Sequence, residues 1–235
     1  NAYTSSNEYV GILKSTTGNN NFYFNSVNIS GAGVSSRIVN TCCFKRTITG
    51  TDTLRNNIFY NGRSNSGSGG SHFSISLNVD STISSGKNDL FGNGNGYLTG
   101  IAKTTTANSL FGWFSLTHVD SNSISLNPNF QSANNLHINI ANPSGLESKG
   151  YTITGISNDI DGDVRPGPAG SIHGGATAPD IGADEFDGTP ISLDMGVYAL
   201  AKPTNGCHSA SDSVSVTIKN LSTQKRINNF SRNIT

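Results

Sequence analysis

Charge, sulfur and helix-forming residues are all scarce in this 235-residue chain. Charged residues make up 13%, split as 15 Lys+Arg against 15 Asp+Glu, so the zero net charge offers no attraction to nucleic acid or an anionic membrane surface. No run of about 18 apolar residues occurs, and no helical membrane span is expected. Asn1 is not an initiator methionine and no charged-then-apolar leader follows it, so an export signal is expected upstream or already removed. Three cysteines, two of them adjacent at Cys42 and Cys43, are too few for a disulfide scaffold. Adjacent cysteines seldom bridge each other, because the peptide between them opposes a relaxed disulfide geometry, and both read as buried small apolar residues.

What the chain has in abundance is Asn, Ser, Thr and Gly, 112 residues in all. These are indifferent or poor helix formers, which excludes an all-helical fold. A hydrophobic content of 34% is low enough for disorder, but disorder usually brings high net charge and few aromatics, whereas this chain carries 11 Phe and 7 Tyr. The composition therefore predicts an ordered, polar, all-β protein.

Asn20-Asn21-Phe22-Tyr23, Asn56-Asn57-Ile58-Phe59 and Asn88-Asp89-Leu90-Phe91 share a pattern of two short polar residues followed by two largely apolar ones. Beside them run short alternating stretches such as Phe22-Phe24-Ser26-Asn28 and Phe73-Ile75-Leu77-Val79, separated by Gly/Ser/Asn clusters. A repeat of about 30 residues with several short strands suits one coil of a parallel β-helix, each coil burying its side chains on the next. Residues 1–157 are expected to stack in this way with Phe22, Phe24, Ile58, Phe73, Ile75, Leu90, Ile124 and Ile138 inside. Asn is also ordinary turn chemistry, and at the same corner of successive coils its amides can form a ladder along the axis. Gly62 to Ser71 reads as a loop, and the apolar cluster Leu110 to Phe114 as a short helical or irregular insertion.

From Asn158 the character changes. Seven of the 15 acids fall between Asp159 and Asp187, in Asp159-Ile160-Asp161-Gly162-Asp163-Val164-Arg165 and Pro179-Asp180-Ile181-Gly182-Ala183-Asp184-Glu185-Phe186. After Pro190 alternation resumes through Val197 and Val214-Val216-Ile218, the grammar of a β-sandwich, but an immunoglobulin-like domain needs about 100 residues and about 45 remain. The expected domains are 1–189, with a closing segment at 158–187, and 190–235 as the start of an immunoglobulin-like domain. Strands near 212–219 and 227–235 would leave open sheet edges, to be completed by the rest of a longer chain, a neighbouring subunit or another protein, where Cys207 would also find any disulfide partner.

The two acidic stretches resemble the segment closing the right-handed parallel β-helix of secreted Bacteroidota-type surface proteins of the choice-of-anchor Q kind. Arg55-Asn56-Asn57-Ile58-Phe59, Asn127-Pro128-Asn129-Phe130 and Leu136-His137-Ile138 are similar to coils of those proteins. Asp194-Met195-Gly196-Val197, with Pro203, Gly206-Cys207 and Val214 to Asn220, resembles the opening of a CARDB-like adhesion domain. The resemblance implies a modular, exported protein and no defined activity.

Within the acidic stretch, Arg165 is expected to pair with Asp184, Glu185 or Asp161 as a structural clasp, because a bidentate carboxylate suits a guanidinium. The other reading of Asp159, Asp161 and Asp163 around Gly162 is a calcium loop, although no bidentate Glu follows and Pro166 and Pro168 intervene. For catalysis on polysaccharide, two carboxylates about 5 to 10 Å apart are needed, and the acids outside the closing segment are sparse and out of register. Asp89 beside Lys87 reads as a turn pair. His72, His118, His137, His173 and His208 show no paired metal spacing. Thr53, Ser81 and Ser213 each follow Asp and precede an apolar residue or Thr, which resembles the O-glycosylation sequence of Bacteroidota.

These readings converge on a non-enzymatic, exported, extracellular or cell-surface stalk or adhesin, with a glycan or other surface ligand as its partner class. The alternatives are a carbohydrate-active β-helix, lyase or hydrolase, whose catalytic coils lie upstream, and a surface filament subunit.

Overall fold

The structure, a computed structural model, describes residues 8–31, 39–65, 69–78, 83–173, 177–191, 195–202 and 215–220. Two compact units divide the chain, Asn1–Pro190 and Ile191–Thr235. The described residues are all-β apart from one eight-residue helix.

In chain order the first unit contains β1 (Tyr9–Lys14), β2 (Asn21–Tyr23), β3 (Ser26–Ile29), β4 (Thr41–Arg46), β5 (Asp52–Arg55), β6 (Ile58–Asn61), β7 (His72–Leu77), β8 (Ile83–Gly86), β9 (Asp89–Phe91), β10 (Tyr97–Ala102), β11 (Thr105–Ala107), α1 (Leu110–Thr117), β12 (Phe130–Ser132) and β13 (Asn135–Ile138). The chain enters three parallel sheets in rotation. The first holds β1, β4, β7 and β10, the second β2, β5 and β8, and the third β3, β6 and β9. A lone parallel bridge from Asp89 to Ile124 extends the third sheet. The antiparallel pairs in this unit are β10 with β11 and the hairpin β12–β13, joined by a bridge between Asn158 and Val164.

The corner between the second and third sheets is built the same way on each pass. Phe24, Asn56 and Lys87 occupy equivalent positions, and all three adopt the left-handed conformation, with φ of 54°, 58° and 55°. Outside glycine that conformation costs about 1–2 kcal/mol. An amide ladder follows directly. Asn25 Nδ2 donates to Asn57 Oδ1 at 2.8 Å, Asn57 Nδ2 to Asn88 Oδ1 at 2.9 Å, and Asn88 Nδ2 to Asp120 Oδ1 at 3.0 Å. The first two steps span 32 and 31 residues. The partner of Asn57 is therefore Asn25, not the Asn20-Asn21 pair that the sequence pattern aligned with it. The expected run from Phe22 to Asn28 is likewise not one strand, because the left-handed Phe24 bends the chain between β2 and β3.

The residues expected inside one core are divided between two. Cys43, Phe44, Leu54, Phe59, Ile75, Leu77 and Leu90 pack within the three sheets, with Phe22 against them. Ile58, Ile138, Leu146, Ile181 and Phe186 form a second cluster, with Ile124 packed against it. Phe59 thus enters the first core while its neighbour Ile58 enters the second, so β6 is buried on both faces. Phe24 and Phe73 are buried outside both clusters. The free thiols of Cys42 and Cys43 are buried, and burial pushes both well above the ordinary thiol range.

The acidic stretch packs beside the corner between the second and third sheets. Gly182 N donates to Asn56 O, Ala183 N donates to Ser26 Oγ, and a Cβ on Gly182 would stand 2.5 Å from Ile58 Cδ1. With φ at 114° as well, that position accepts only glycine without distortion. The helix α1 packs against β10 and β11 of the first sheet. Ser109 caps the helix by accepting from Gly112 N, and His118 ends it in the left-handed conformation. Trp113, fully buried, lies so close to Gly100 that a Cβ there would meet the indole at 2.6 Å. Its Nε1 donates to Asp120 Oδ2 at 3.0 Å, tying the helix to the amide ladder.

The second unit contains β14 (Met195–Lys202) and β15 (Ser215–Asn220), antiparallel with irregular register. β15 overlaps the strand expected over 212–219. The strand expected over 227–235 and Cys207 lie outside the described residues.

Candidate functional site

Two regions of the first unit concentrate polar chemistry: the acidic flank and a surface groove beside the third sheet.

At the centre of the flank, Arg165 Nη1 donates to Glu185 Oε2 at 2.7 Å, with both side chains almost wholly buried. Its Nη2 donates to the carbonyls of Gly182 and Ala183, and the guanidinium lies 4.2 Å from the Phe24 ring centroid. Of the expected clasp partners, Glu185 is the one that meets Arg165. Asp184 accepts from Ile138 N at 2.7 Å, and Asp161 turns to His137, whose Nε2 lies 2.7 Å from Asp161 Oδ2.

Most of the remaining carboxylates in the flank hold main-chain amides. Asp180 accepts from Ser148 N and Phe186 N, Glu147 from Gly188 N, and Glu185 from Gly167 N and Asp180 N. Asp159 accepts from the amides of Asp161, Asp163 and Glu185. The motif Pro179 to Phe186 is thereby accounted for almost residue by residue as a staple. Ile181 and Phe186 fill the second core, Gly182 allows the close approach, and the acids bind amides or Arg165. One buried cation among so many acids leaves its mark on their protonation. Burial first, then the Glu185 and Glu147 charges, push Asp180 up to about 9, against the pull of its two amide donors. Burial likewise raises Glu147 to about 7, and raises Glu185 and Asp184.

The carboxylates read as a calcium loop do not converge, since both oxygens of Asp159 are taken by amides and Asp161 faces away to His137. Among the described residues, the side chains that could share an ion are His137, Asp161 and Asp184, with ligand atoms all within 4.8 Å of one another. An imidazole and two carboxylates suit calcium poorly, because calcium takes six to eight oxygens, and the direct His137–Asp161 bond satisfies the pair without an ion. Sequence spacing gives no signal for this group, because Asp161 lies 24 residues beyond His137 and Asp184 further still.

The sparse acids of the sheets are also buried. Asp52 pairs with Arg46 at 3.1 Å, and Asp120 accepts from Trp113, Asn88, Ser85 and Ser123. Asp89 is not a turn residue paired with Lys87. It sits within β9, fully buried, and burial raises it well above the carboxylate range while Leu126 N donates to its Oδ1. Lys87 lies instead over the Tyr151 ring at 5.5 Å, with Arg55 at 5.8 Å from the same ring. Thr53 lies half-buried in β5, and Ser81 and Ser213 lie outside the described residues.

The groove has a volume of about 360 Å³. Asn28 and Tyr60, from the outward face of the third sheet, form one side, and Asn127, Asn129, Phe130, Asn139 and Asn142 form the other. Tyr60 stacks on Phe91 at 5.8 Å, meets Phe130 edge-on at 6.2 Å and donates to Asn93 Oδ1 at 3.1 Å. Asn28 Oδ1 is buried without a hydrogen-bond partner. No charged side chain lines this groove, whereas a second depression of about 280 Å³ on the first sheet is lined by Glu8, Lys45 and Lys103. The sequence did carry a signal for the groove, six asparagines between positions 127 and 142.

No helix among the described residues is long and apolar enough to cross a membrane. No family model, curated protein or solved structure matches the chain.

Proposed function

We propose that this chain is a segment of an exported, non-enzymatic cell-surface or extracellular protein, a stalk or adhesin. In this reading the first unit is a right-handed parallel β-helix of the choice-of-anchor Q kind, and the second opens a CARDB-like immunoglobulin-like domain. The observation that carries it is the corner ladder of Asn25, Asn57 and Asn88, spaced 32 and 31 residues apart across three in-register parallel sheets. That arrangement repeats one corner geometry along the axis, which suits the stiffness a spacer requires. The non-enzymatic part is supported by the use of Asp52, Asp120, Asp159, Asp180 and Glu185 as ion-pair partners and amide acceptors, occupied by the fold itself.

Two measurements test this. Antibodies against the chain should label intact cells that make it, and labelling only after permeabilisation overturns the exported reading. Incubation with a panel of polysaccharides should release neither reducing ends nor unsaturated uronates, and release abolished by a carboxylate substitution overturns the non-enzymatic one.

A further inference from the structure

We infer that the groove between the third sheet and the β12–β13 hairpin is a binding site for a neutral saccharide. The lining decides the ligand class. A side-chain amide offers two N–H donors and an acceptor, and a sugar hydroxyl one donor and two lone pairs, so Asn129 and Asn142 can meet neighbouring hydroxyls both ways, while Asn127 and Asn139, whose Oδ1 atoms accept from Asn129 N and Ala141 N, present their Nδ2 donors. The Tyr60 and Phe130 rings supply the apolar surface against which the CH groups of a pyranose pack, within a cleft of ligand-sized volume.

Competing ligands fit less well. Nucleic acid or an anionic glycan would call for Lys or Arg, and neither lines the groove. A peptide that gains affinity by adding to a sheet edge would have to pair with β3, since β6, which carries Tyr60, is already paired on both sides by β3 and β9, and the tripeptide comparison below tests that mode. The inference deepens the surface-protein reading and takes its biological setting from it, while the chemistry of the groove stands on its own residues.

The test is a titration of the whole chain, followed by amide NMR, with neutral trisaccharides, both β-linked (cellotriose, chitotriose) and α-linked (maltotriose, mannotriose). Trigalacturonate and a Gly/Ser tripeptide serve as comparisons. At least one neutral trisaccharide should shift signals of residues 127–130 and 139–142, and the arm that does so separates structural from storage-type polysaccharide as the source. Asn142→Ala, at an exposed position, should weaken that binding at least about tenfold, as should Tyr60→Ala, while Phe111→Ala on α1 leaves it unchanged. Absence of groove shifts with every neutral sugar at millimolar concentration overturns the inference, as does stronger binding of trigalacturonate or of the tripeptide at these residues. Either failure leaves intact-cell labelling unaffected, so it is distinguishable from failure of the surface reading.

Discussion

The three sheets and the acidic flank meet at β3 and β6, yet most of their polar groups are held by different means. In the sheets, the corner amides of Asn25, Asn57 and Asn88 bond their counterparts one pass away and end on Asp120, and Arg46–Asp52 is the fully buried ion pair there. In the flank nothing repeats. A two-stranded hairpin and long irregular segments are fixed by carboxylates gripping main-chain amides around a single buried guanidinium. The difference shows that repetition distributes stability over many equivalent bonds, whereas an irregular segment concentrates it in a few charged ones. Such concentration is sensitive to single substitutions and to pH.

The largest effect should therefore come from the flank. Arg165→Met leaves Glu185 buried without its cation, and breaking a buried pair in this way costs about 3–5 kcal/mol. Chemical denaturation should report that loss, and the double variant Arg165→Met/Glu185→Leu should recover part of it. Hydrogen exchange should show protection lost over 138–186 and kept in β4 and β7. Equal loss in both regions would mean that flank and sheets unfold as one unit, and would break the comparison.

Next in size is the ladder. Asn57→Ala removes the acceptor of Asn25 and the donor to Asn88, and each buried group left unpartnered costs about 1–3 kcal/mol. Loss of protection should extend to both neighbouring passes, because the ladder couples them. A change confined to Asn57 and Ile58 would show that the amides act as separate turns and not as a ladder.

How far each region was legible in the sequence follows from the same contrast. The repeat spacing, the all-β character and the amide ladder could be read because period and composition are local signals. The register could not, because the left-handed corner falls on Phe24, Asn56 and Lys87, and only Asn announces that conformation. Aligning on Asn-Asn pairs therefore displaced the first pass. Arg165 with Glu185 was legible as one cation among many acids. The division of the core was not, since Ile58 and Phe59 are equally apolar and nothing local says that they face opposite ways. The groove escaped because its two sides lie roughly a hundred residues apart in the chain and meet only through the fold.

A third effect is on pH. Asp180, Glu147 and Glu185 hold their protons more tightly in the folded chain than in the unfolded one. Raised folded values give stability that is complete below the ordinary carboxylate pKa and is lost as pH rises through the folded value. The window runs from the ordinary Glu value to about 7 for Glu147, and from the ordinary Asp value to about 9 for Asp180. Scanning calorimetry between about pH 5 and pH 9 should show Tm falling by several degrees, and Asp180→Asn should flatten the upper part of the fall. A Tm that rises across this range would show that the amide donors outweigh burial and that these acids are ionised throughout.

The smallest effect belongs to the outer edge of the flank. His137 and Asp161 form an ion pair with side chains 43% and 51% exposed, so solvent screens it, and Asp161→Asn should cost only about 0–1 kcal/mol. The hydrogen bond to Asp161 raises the His137 pKa, so the contribution is present below the ordinary imidazole value and disappears as pH rises through the raised one. In the variant, the imidazole NMR titration should move down toward the ordinary value. Ile138 should stay protected, because its amide is held by Asp184 and not by Asp161. If Asp161→Asn instead releases the β12–β13 hairpin, the ion pair rather than the buried Asp184 fixes that wall of the groove. Charge concentration in the flank would then extend to its surface, and saccharide binding at the groove would weaken together with the pair.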